Sequence, residues 1–303
     1  MRIYKGKIVC SEDESLNILE YEEVFYQFQK LSEQDLSGGK GGNSTVFKLF
    51  DPNEQDYYIV KFCKYNILNK NEKIRKRIYR FENEIKALEK AKKINSENII
   101  EIFFSGEMKI GNGKYRYYVM ERGEMDLTEY LKLDDISDQQ KVLLCSQILH
   151  GVNELHQNLK VYHRDIKPDN IFFVGDTWKI GDLGLISSRN KDFELDEVGE
   201  KIGPYGWLSP EVTNKALCEG TPLENEFCCI IDEQSDVFQL GKLFWYIFQG
   251  NIPIGQIQKE DFKLNNQTIF LIIQLMLQYS KERRPTMEKV EIEFQKTYSH
   301  FGI

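Results

Sequence analysis

The sequence predicts an α+β chain in which a strand-rich front of about 120 residues precedes a helix-rich back, with a cleft expected between the two. Short apolar runs alternate with turn residues over 24–60, which is the period of strands. One charged helical pattern follows at 71–93, and beyond Gly123 the apolar spacing lengthens to the helical period, with apolar helices at 234–249 and 267–279.

Composition sets the frame. The chain has 303 residues, 40 Lys plus Arg against 48 Asp plus Glu, a formal charge of −8, and 41% hydrophobic with 29% charged residues. That is enough apolar material for a full core, so wholesale disorder is excluded. No run approaches the roughly 18 apolar residues of a membrane span, and the start MRIYKGKIVCSEDES does not read as a secretory signal. Six cysteines form neither a disulfide framework nor a metal ladder, so a reduced, cytoplasmic protein is expected. The acidic balance argues against a nucleic-acid partner, and none is expected; nor is a membrane.

The elements follow in order. Residues 24–60 read as strands broken by Gly38-Gly39-Lys40-Gly41-Gly42. The helix at 71–93 places Ile74, Ile78, Phe81, Ile85 and Leu88 at three- and four-residue steps. Strands are expected at 99–104 and 115–120, joined by a turn at Gly111-Asn112-Gly113. A helix over 138–157 has Ser137 or Asp138 as its N-cap. A hairpin, IFFV then Gly175-Asp176 then TWKI, lies between two polar clusters at 162–170 and 179–184.

The chemistry-bearing residues come in two groups. Residues 39–46 read Gly-Lys-Gly-Gly-Asn-Ser-Thr-Val. Glycines let backbone N–H groups approach phosphate oxygens, but the same run suits a plain hairpin turn, and the residues leave both readings open. It is not a Walker A loop, since no Gly-Lys-Ser/Thr closes it. Lys61 follows Val46 by 15 residues, and Glu84 falls on the inward face of the next helix beside Ile85 and Leu88, where a carboxylate wants a cation; alternatively Glu84 is one more exposed charge. In the second group, the hairpin returns Asp182 towards Asn170 and Asp165. Two carboxylates and an amide near one Lys suit Mg²⁺ held with substrate phosphates.

Taken together, these motifs resemble the eukaryotic-type protein kinase superfamily over about residues 24–290, a family whose motif set is established and is carried over here residue by residue. The resemblance implies a two-lobed protein-kinase-like fold, a small antiparallel β-sheet lobe with one main helix and a larger mostly helical lobe. It implies an N-terminal extension at 1–23, an N-lobe at 24–120, a hinge at 121–124 and a C-lobe at 125–303. Gly39, Gly41 and Ser44 stand where the family has its Gly-rich loop, with Val46 after it. Lys61 matches the phosphate-binding Lys and Glu84 its helix partner. Met120 stands as gatekeeper, with Glu121-Arg122-Gly123 as the segment whose backbone would bond adenine, and Phe172 in the floor position. His163-Arg164-Asp165 matches the catalytic loop: Asp165 is base or positioner for the substrate hydroxyl, Lys167 neutralises the γ-phosphate, and Asn170 and Asp182 hold metal. Ser209-Pro210-Glu211 matches the start of the family's peptide-docking segment, Asp236 the helix anchor under the catalytic loop, and Arg284 the Arg that pairs with Glu211. The implied activity is transfer of the γ-phosphate of ATP, with Mg²⁺, to Ser/Thr hydroxyls of a protein substrate. Dual specificity and a nucleotide- or partner-binding pseudokinase are the alternatives.

Several departures carry expectations. Ile59 replaces a usual Ala over adenine and should narrow the nucleotide pocket, and Leu183 replaces a Phe as an apolar plug. Pro204 lacks the hydroxyl that Ser/Thr enzymes place beside the catalytic Asp, whereas Lys167 is a Ser/Thr mark. Arg164 normally meets a loop phosphate in this family. Residues 182–211 offer only Ser187, Ser188, Tyr205 and Ser209 as hydroxyls but carry Asp192, Glu194, Asp196, Glu197 and Glu200; either one of these acids pairs with Arg164 or the loop is simply solvated and acidic, and the residues leave both readings open. Residues 61–93 hold 12 bases against 4 acids and read as a solvated helix, whereas residues 182–236 hold 13 acids against 4 bases, which predicts a preference for basic residues around the phosphorylated hydroxyl. The 212–235 stretch, longer than usual, holds Cys218, Cys228 and Cys229, read as buried thiols, and His150 and His156 read as structural.

Overall fold

The computed structural model describes residues 1–31, 43–188 and 195–302. The chain divides into two units, Met1–Lys93 with Ile100–Arg122, and Ile94–Ile99 with Gly123–Ile303.

In the first unit a six-stranded antiparallel sheet runs in the order Ile18–Tyr21, Val24–Gln29, Ser44–Asp51, Asp56–Cys63, Gly113–Met120, Ile102–Ile110. Its register sorts the side chains. Val46 stands opposite Lys61, Lys61 opposite Tyr118, and Ile59 opposite Met120, so these five share one face. The other face carries Phe28, Phe47, Leu49, Val60, Phe62, Tyr117 and Val119, a buried cluster closed by Ile8 and Leu19 with Met1, Cys10 and Tyr21 packed against it. Residues upstream of the sheet, Met1, Ile8 and Cys10, therefore pack against its apolar face. The sheet starts at Ile18, upstream of the boundary expected at 24. The last two strands are also longer than expected, Ile102–Ile110 and Gly113–Met120. Their middle carries Glu107, Lys109 and Arg116, and the cross-strand Arg116–Glu107 pair at 3.3 Å keeps charges on strand positions that composition alone reads as loop.

The helix Glu72–Lys93 forms as the spacing predicts and buries Ile78, Phe81, Glu84, Ile85 and Leu88. Its Phe81 ring lies 5.4 Å from that of Tyr118, which sets the helix on the Lys61 face of the sheet.

The second unit is mostly helical. The helix Asp138–Glu154 is capped by Ser137, whose side chain accepts from Gln140 N–H while Gln140 answers the Ser137 backbone. It runs into a π-helical turn at Leu155–Leu159, closed by Lys160 at φ 59°. The helix Glu233–Gln249 is buried along most of its length and packs with Gln267–Met276 and with Asp138–Glu154. The hairpin Ile171–Val174 with Thr177–Ile180 forms as expected and is joined by Met125–Asp126. The two-residue strands Val161–Tyr162 and Ser187–Ser188 pair, so the segments either side of the hairpin meet. Among the described residues no helix is long and apolar enough to cross a membrane.

Candidate active site

In the first unit, Lys61 Nζ lies 2.8 Å from Glu84 Oε1, with their side chains 8% and 1% exposed. The same oxygen accepts the Tyr118 hydroxyl at 3.0 Å. Glu84 is therefore not an exposed charge of a solvated helix: a buried carboxylate requires compensation, and a cation plus a phenol supply it. Val46, Ile59 and Met120 surround Lys61 on its sheet face. Ser44 opens its strand opposite Cys63 and is buried. Gly39 and Gly41 lie outside the described residues. Glu121 donates its N–H to Glu101 O at 3.0 Å, and its carboxylate accepts Glu101 N–H at 2.6 Å. In the second unit Gly123 closes on Phe172, where a Cβ on the glycine would stand 2.9 Å from that of Phe172.

The loop 163–166 is held by side chains rather than by a ladder. Asp236 accepts the N–H of His163 at 2.7 Å and of Arg164 at 2.8 Å, and His156 Nε2 at 2.8 Å. Asp165 N–H donates to His163 Nδ1 at 3.2 Å, and Ile166 N–H to Gln239 Oε1 at 3.0 Å; Gln239 returns a bond to Arg164 O at 3.2 Å. Four successive backbone donors are thus satisfied in the interior. The contacts also set the His163 tautomer: Nδ1 accepts, so Nε2 carries the proton and donates to Gly181 O at 3.1 Å. Burial pushes the Asp236 carboxyl up, but His156, His163 and the Arg164 N–H outweigh it and hold the group below its ordinary value. His156 is structural as expected, but its partner Asp236 was not foreseen. Gln239 was missed altogether. Its signal was a polar residue one turn after Asp236 on an otherwise apolar helix face.

Around Asp165 the polar groups converge. Lys167 Nζ donates to Asp165 Oδ2 at 2.8 Å, and Asn170 Nδ2 donates to the same oxygen at 3.0 Å and to Asp165 O at 2.8 Å. Asp165 Oδ1 is buried and has no hydrogen-bond partner among the described residues. Burial raises the Asp165 carboxyl, Lys167 and His163 oppose this, and nearby Asp182 adds to it. Gly181 N–H donates to Asn170 O at 2.9 Å, which brings the exposed Asp182, at φ 54°, beside Asn170. With its amide nitrogen spent on Asp165, Asn170 keeps its carbonyl oxygen for a cation. Among the described residues no cluster of three or more His, Cys, Asp or Glu forms a metal cage. One amide oxygen and one carboxylate fit a hard cation that completes its shell with phosphate oxygens and water.

The segment after Asp182 is tied down twice. Arg164 donates through Nη1 and Nη2 to the two carboxylate oxygens of Asp196 at 2.6 and 3.1 Å, and through Nε to Leu185 O at 2.6 Å. The expected acid partner of Arg164 is therefore Asp196; Asp192 and Glu194 lie outside the described residues. Further on, Arg284 holds Glu211 in a two-point pair at 2.8 and 3.0 Å, as the motif implies. The long 212–235 stretch packs as the helix Pro210–Cys218 and turns; Cys218 is buried, whereas Cys228 is exposed, against the expectation of buried thiols throughout. Phe227 and Ile230 beside it are exposed as well, so the turns carry too little apolar neighbourhood to enclose a thiol there.

The protein kinase domain model matches residues 33–300. The chain belongs to the protein kinase domain family. Membership implies use of ATP with a divalent metal. Among similar proteins, "Dual specificity protein kinase TTK" of Mus musculus is 26% identical over 230 residues, covering 75% of this chain and 25% of that protein. "Serine/threonine-protein kinase WNK" of Caenorhabditis elegans is 31% identical over 227 residues, 72% of this chain and 11% of that protein. "Probable serine/threonine-protein kinase mps1" of Dictyostelium discoideum is 26% identical over 270 residues, 82% and 26%. The chain thus spans between about a tenth and a quarter of the length of these relatives.

Proposed function

We propose that this kinase domain transfers the γ-phosphate of ATP, with Mg²⁺, to Ser/Thr hydroxyls of proteins. The observation that carries the reading is Asp165. Its Oδ2 is held by Lys167 and Asn170, while its Oδ1 is buried and, among the described residues, unpartnered, an acceptor set for an incoming hydroxyl proton. Bound Mg-ATP supplies the transferable phosphoryl group. Asn170 and Asp182 would hold the cation, Lys167 would neutralise charge on the transferring group, and Lys61, held by Glu84, would bind phosphate oxygens; the family resemblance assigns the base to Val46, Ile59, Met120, Phe172 and the 121–123 backbone. Positioning and charge neutralisation do the work, without a covalent intermediate.

The test is radiolabelled ATP transfer onto generic basic proteins, followed by phospho-amino-acid analysis. Wild type labels Ser and Thr; Asp165→Asn loses turnover and keeps nucleotide binding; Lys61→Met is crippled. Undiminished labelling by Asp165→Asn defeats the role given to Asp165, and no labelling by wild type leaves a nucleotide-binding pseudokinase. Dual specificity is supported by one feature: Pro204 brings no hydroxyl to Asp165, and a Cβ at the neighbouring Gly203 would lie only 3.6 Å from Oδ1. Phosphotyrosine among the products decides for it. The 13 acids of residues 182–236 support basic flanking residues on the substrate, which a peptide library checks. We place the protein in the cytoplasm because its six cysteines are all free thiols, as suits a reducing compartment.

A further inference from the structure

We infer that Asp196 is a positioning residue for Asp165, acting through Arg164, and that it completes the site without phosphorylation of residues 182–211. The inference rests on the kinase reading above and adds how the site is switched on.

Arg164 and Asp196 have side chains only 3% and 7% exposed. A guanidinium this buried needs an anion with two oxygens, and the unmodified carboxylate of Asp196 already supplies both in a fork. The third donor direction, Nε, goes to Leu185 O. One side chain therefore joins the catalytic loop to positions 3 and 14 residues beyond Asp182. Arg164 sits at φ 68°, a left-handed conformation that a non-glycine residue holds only when surrounding bonds fix it. Its backbone is fixed by Asp236 and Gln239, and its side chain by Asp196. Asp165 is the next residue, so the orientation of its carboxylate depends on this clamp.

The hydroxyls of the segment point the same way. Ser209 is fully buried. Ser187 and Ser188 are half-buried in the pairing with Val161–Tyr162. Only Tyr205 is well exposed, and Lys201 Nζ already covers its ring at 3.7 Å. The six residues outside the described set, 189–194, contain no Ser, Thr or Tyr. No hydroxyl of the segment is thus both presented for modification and aimed at Arg164, whose Nε, Nη1 and Nη2 each already donate to Leu185 or Asp196.

The test uses the full chain treated with a broad phosphatase, with stripping checked by mass spectrometry. Expected is a kcat within twofold of the untreated protein. Asp196→Asn keeps shape but loses one anionic oxygen, and lowers kcat at least tenfold while the KM for ATP stays within twofold. Arg164→Gln gives a similar loss, and the double variant is no worse than Arg164→Gln alone. Loss of activity on phosphatase treatment, an unchanged kcat in Asp196→Asn, or losses that multiply in the double variant each overturn the inference. Hydrogen exchange over 195–208 is measured in parallel. Protection in dephosphorylated wild type that is lost in Asp196→Asn supports the clamp, and equal exchange in both refutes it. A wild type with no transfer but with this protection pattern sinks the kinase reading and leaves the clamp standing.

Discussion

Removing the guanidinium of Arg284 tests the best-determined ion pair of the second unit. Its five N–H donors are all engaged: Nη1 to Glu211 Oε1 at 2.8 Å and Gln234 O at 2.7 Å, Nη2 to Glu211 Oε2 at 3.0 Å and Tyr279 O at 2.9 Å, and Nε to Gln278 O at 2.7 Å. The side chains of Arg284 and Glu211 are 0% and 3% exposed. Arg284→Met keeps the stem and leaves a buried carboxylate with no cation, held by the Ser235 hydroxyl and a backbone N–H alone, plus three carbonyls short of a donor. Breaking a buried pair from one side costs about 3–5 kcal/mol. At about 2–4 °C per kcal/mol for a domain of this size, the thermal midpoint should fall by roughly 6–20 °C. Lys296→Met is the control, since its pair with Glu293 is 60% and 39% exposed and such pairs contribute about 0–1 kcal/mol. An acid titration adds a second readout. Burial pushes the Glu211 carboxyl up, but Arg284 and Ser235 prevail and hold it below its ordinary value of 4.5. A depressed carboxyl stabilises the fold fully above its unfolded value and loses that contribution as pH falls through its folded value. The stability advantage of wild type over Glu211→Gln should therefore be constant near neutrality and shrink below about pH 4.5. A midpoint shift for Arg284→Met no larger than the control's, or an advantage that grows in acid, refutes the reasoning.

Gln239→Leu keeps volume but orphans Ile166 N–H and Arg164 O; an unsatisfied buried group costs about 1–3 kcal/mol, so both the thermal midpoint and kcat should drop, and unchanged kcat would show that the loop needs only Asp236. Gly203→Ala places a methyl 3.2 Å from Arg164 O at φ 88°, a left-handed position costing about 1–2 kcal/mol for a residue with a Cβ; reduced transfer with retained nucleotide binding is expected, read by steady-state kinetics and a fluorescent nucleotide. Ile59→Ala should widen nucleotide and inhibitor tolerance, and a nucleotide panel identical to wild type removes that idea.

Much of this was legible in the sequence because chemistry here sits at short, fixed spacings. Lys61, Glu84, Asp165, Asn170 and Asp182 are read from their motifs, and the hairpin that returns Asp182 to Asn170 is written in its turn residues Gly175-Asp176. The 71–93 helix showed its apolar period directly. What was hidden depends on pairings remote in sequence. The partner of Arg164 could be narrowed to a set of acids but not to Asp196, because charge type does not encode which loop residue folds back. The packing of the first residues on the sheet was unread, since Ile8-Val9 is one short apolar pair in a polar stretch and acquires meaning only against Phe28, Phe47 and Phe62. The strands near 105–114 were missed because charged cross-strand pairs imitate a loop composition.

The same partners that hide from sequence explain why the catalytic loop has its shape. Arg164 and Asp182 both adopt left-handed backbone, at φ 68° and 54°, each costing about 1–3 kcal/mol. An apolar core could not impose this, because hydrophobic contact does not specify direction. Directed bonds do: Asp236 and Gln239 hold the loop's backbone from the helix below, His163 links it to Gly181, and Asp196 grips Arg164 from the following segment. The strain at two residues is thereby balanced by bonds within the chain, so Asp165 is oriented in advance, which on the proposed function removes reorganisation at transfer. On this argument the buried acids of the second unit serve geometry as well as stability: an apolar residue in place of Asp236 would orphan two buried backbone N–H groups and His156 Nε2, and would lose folding energy together with the loop's shape.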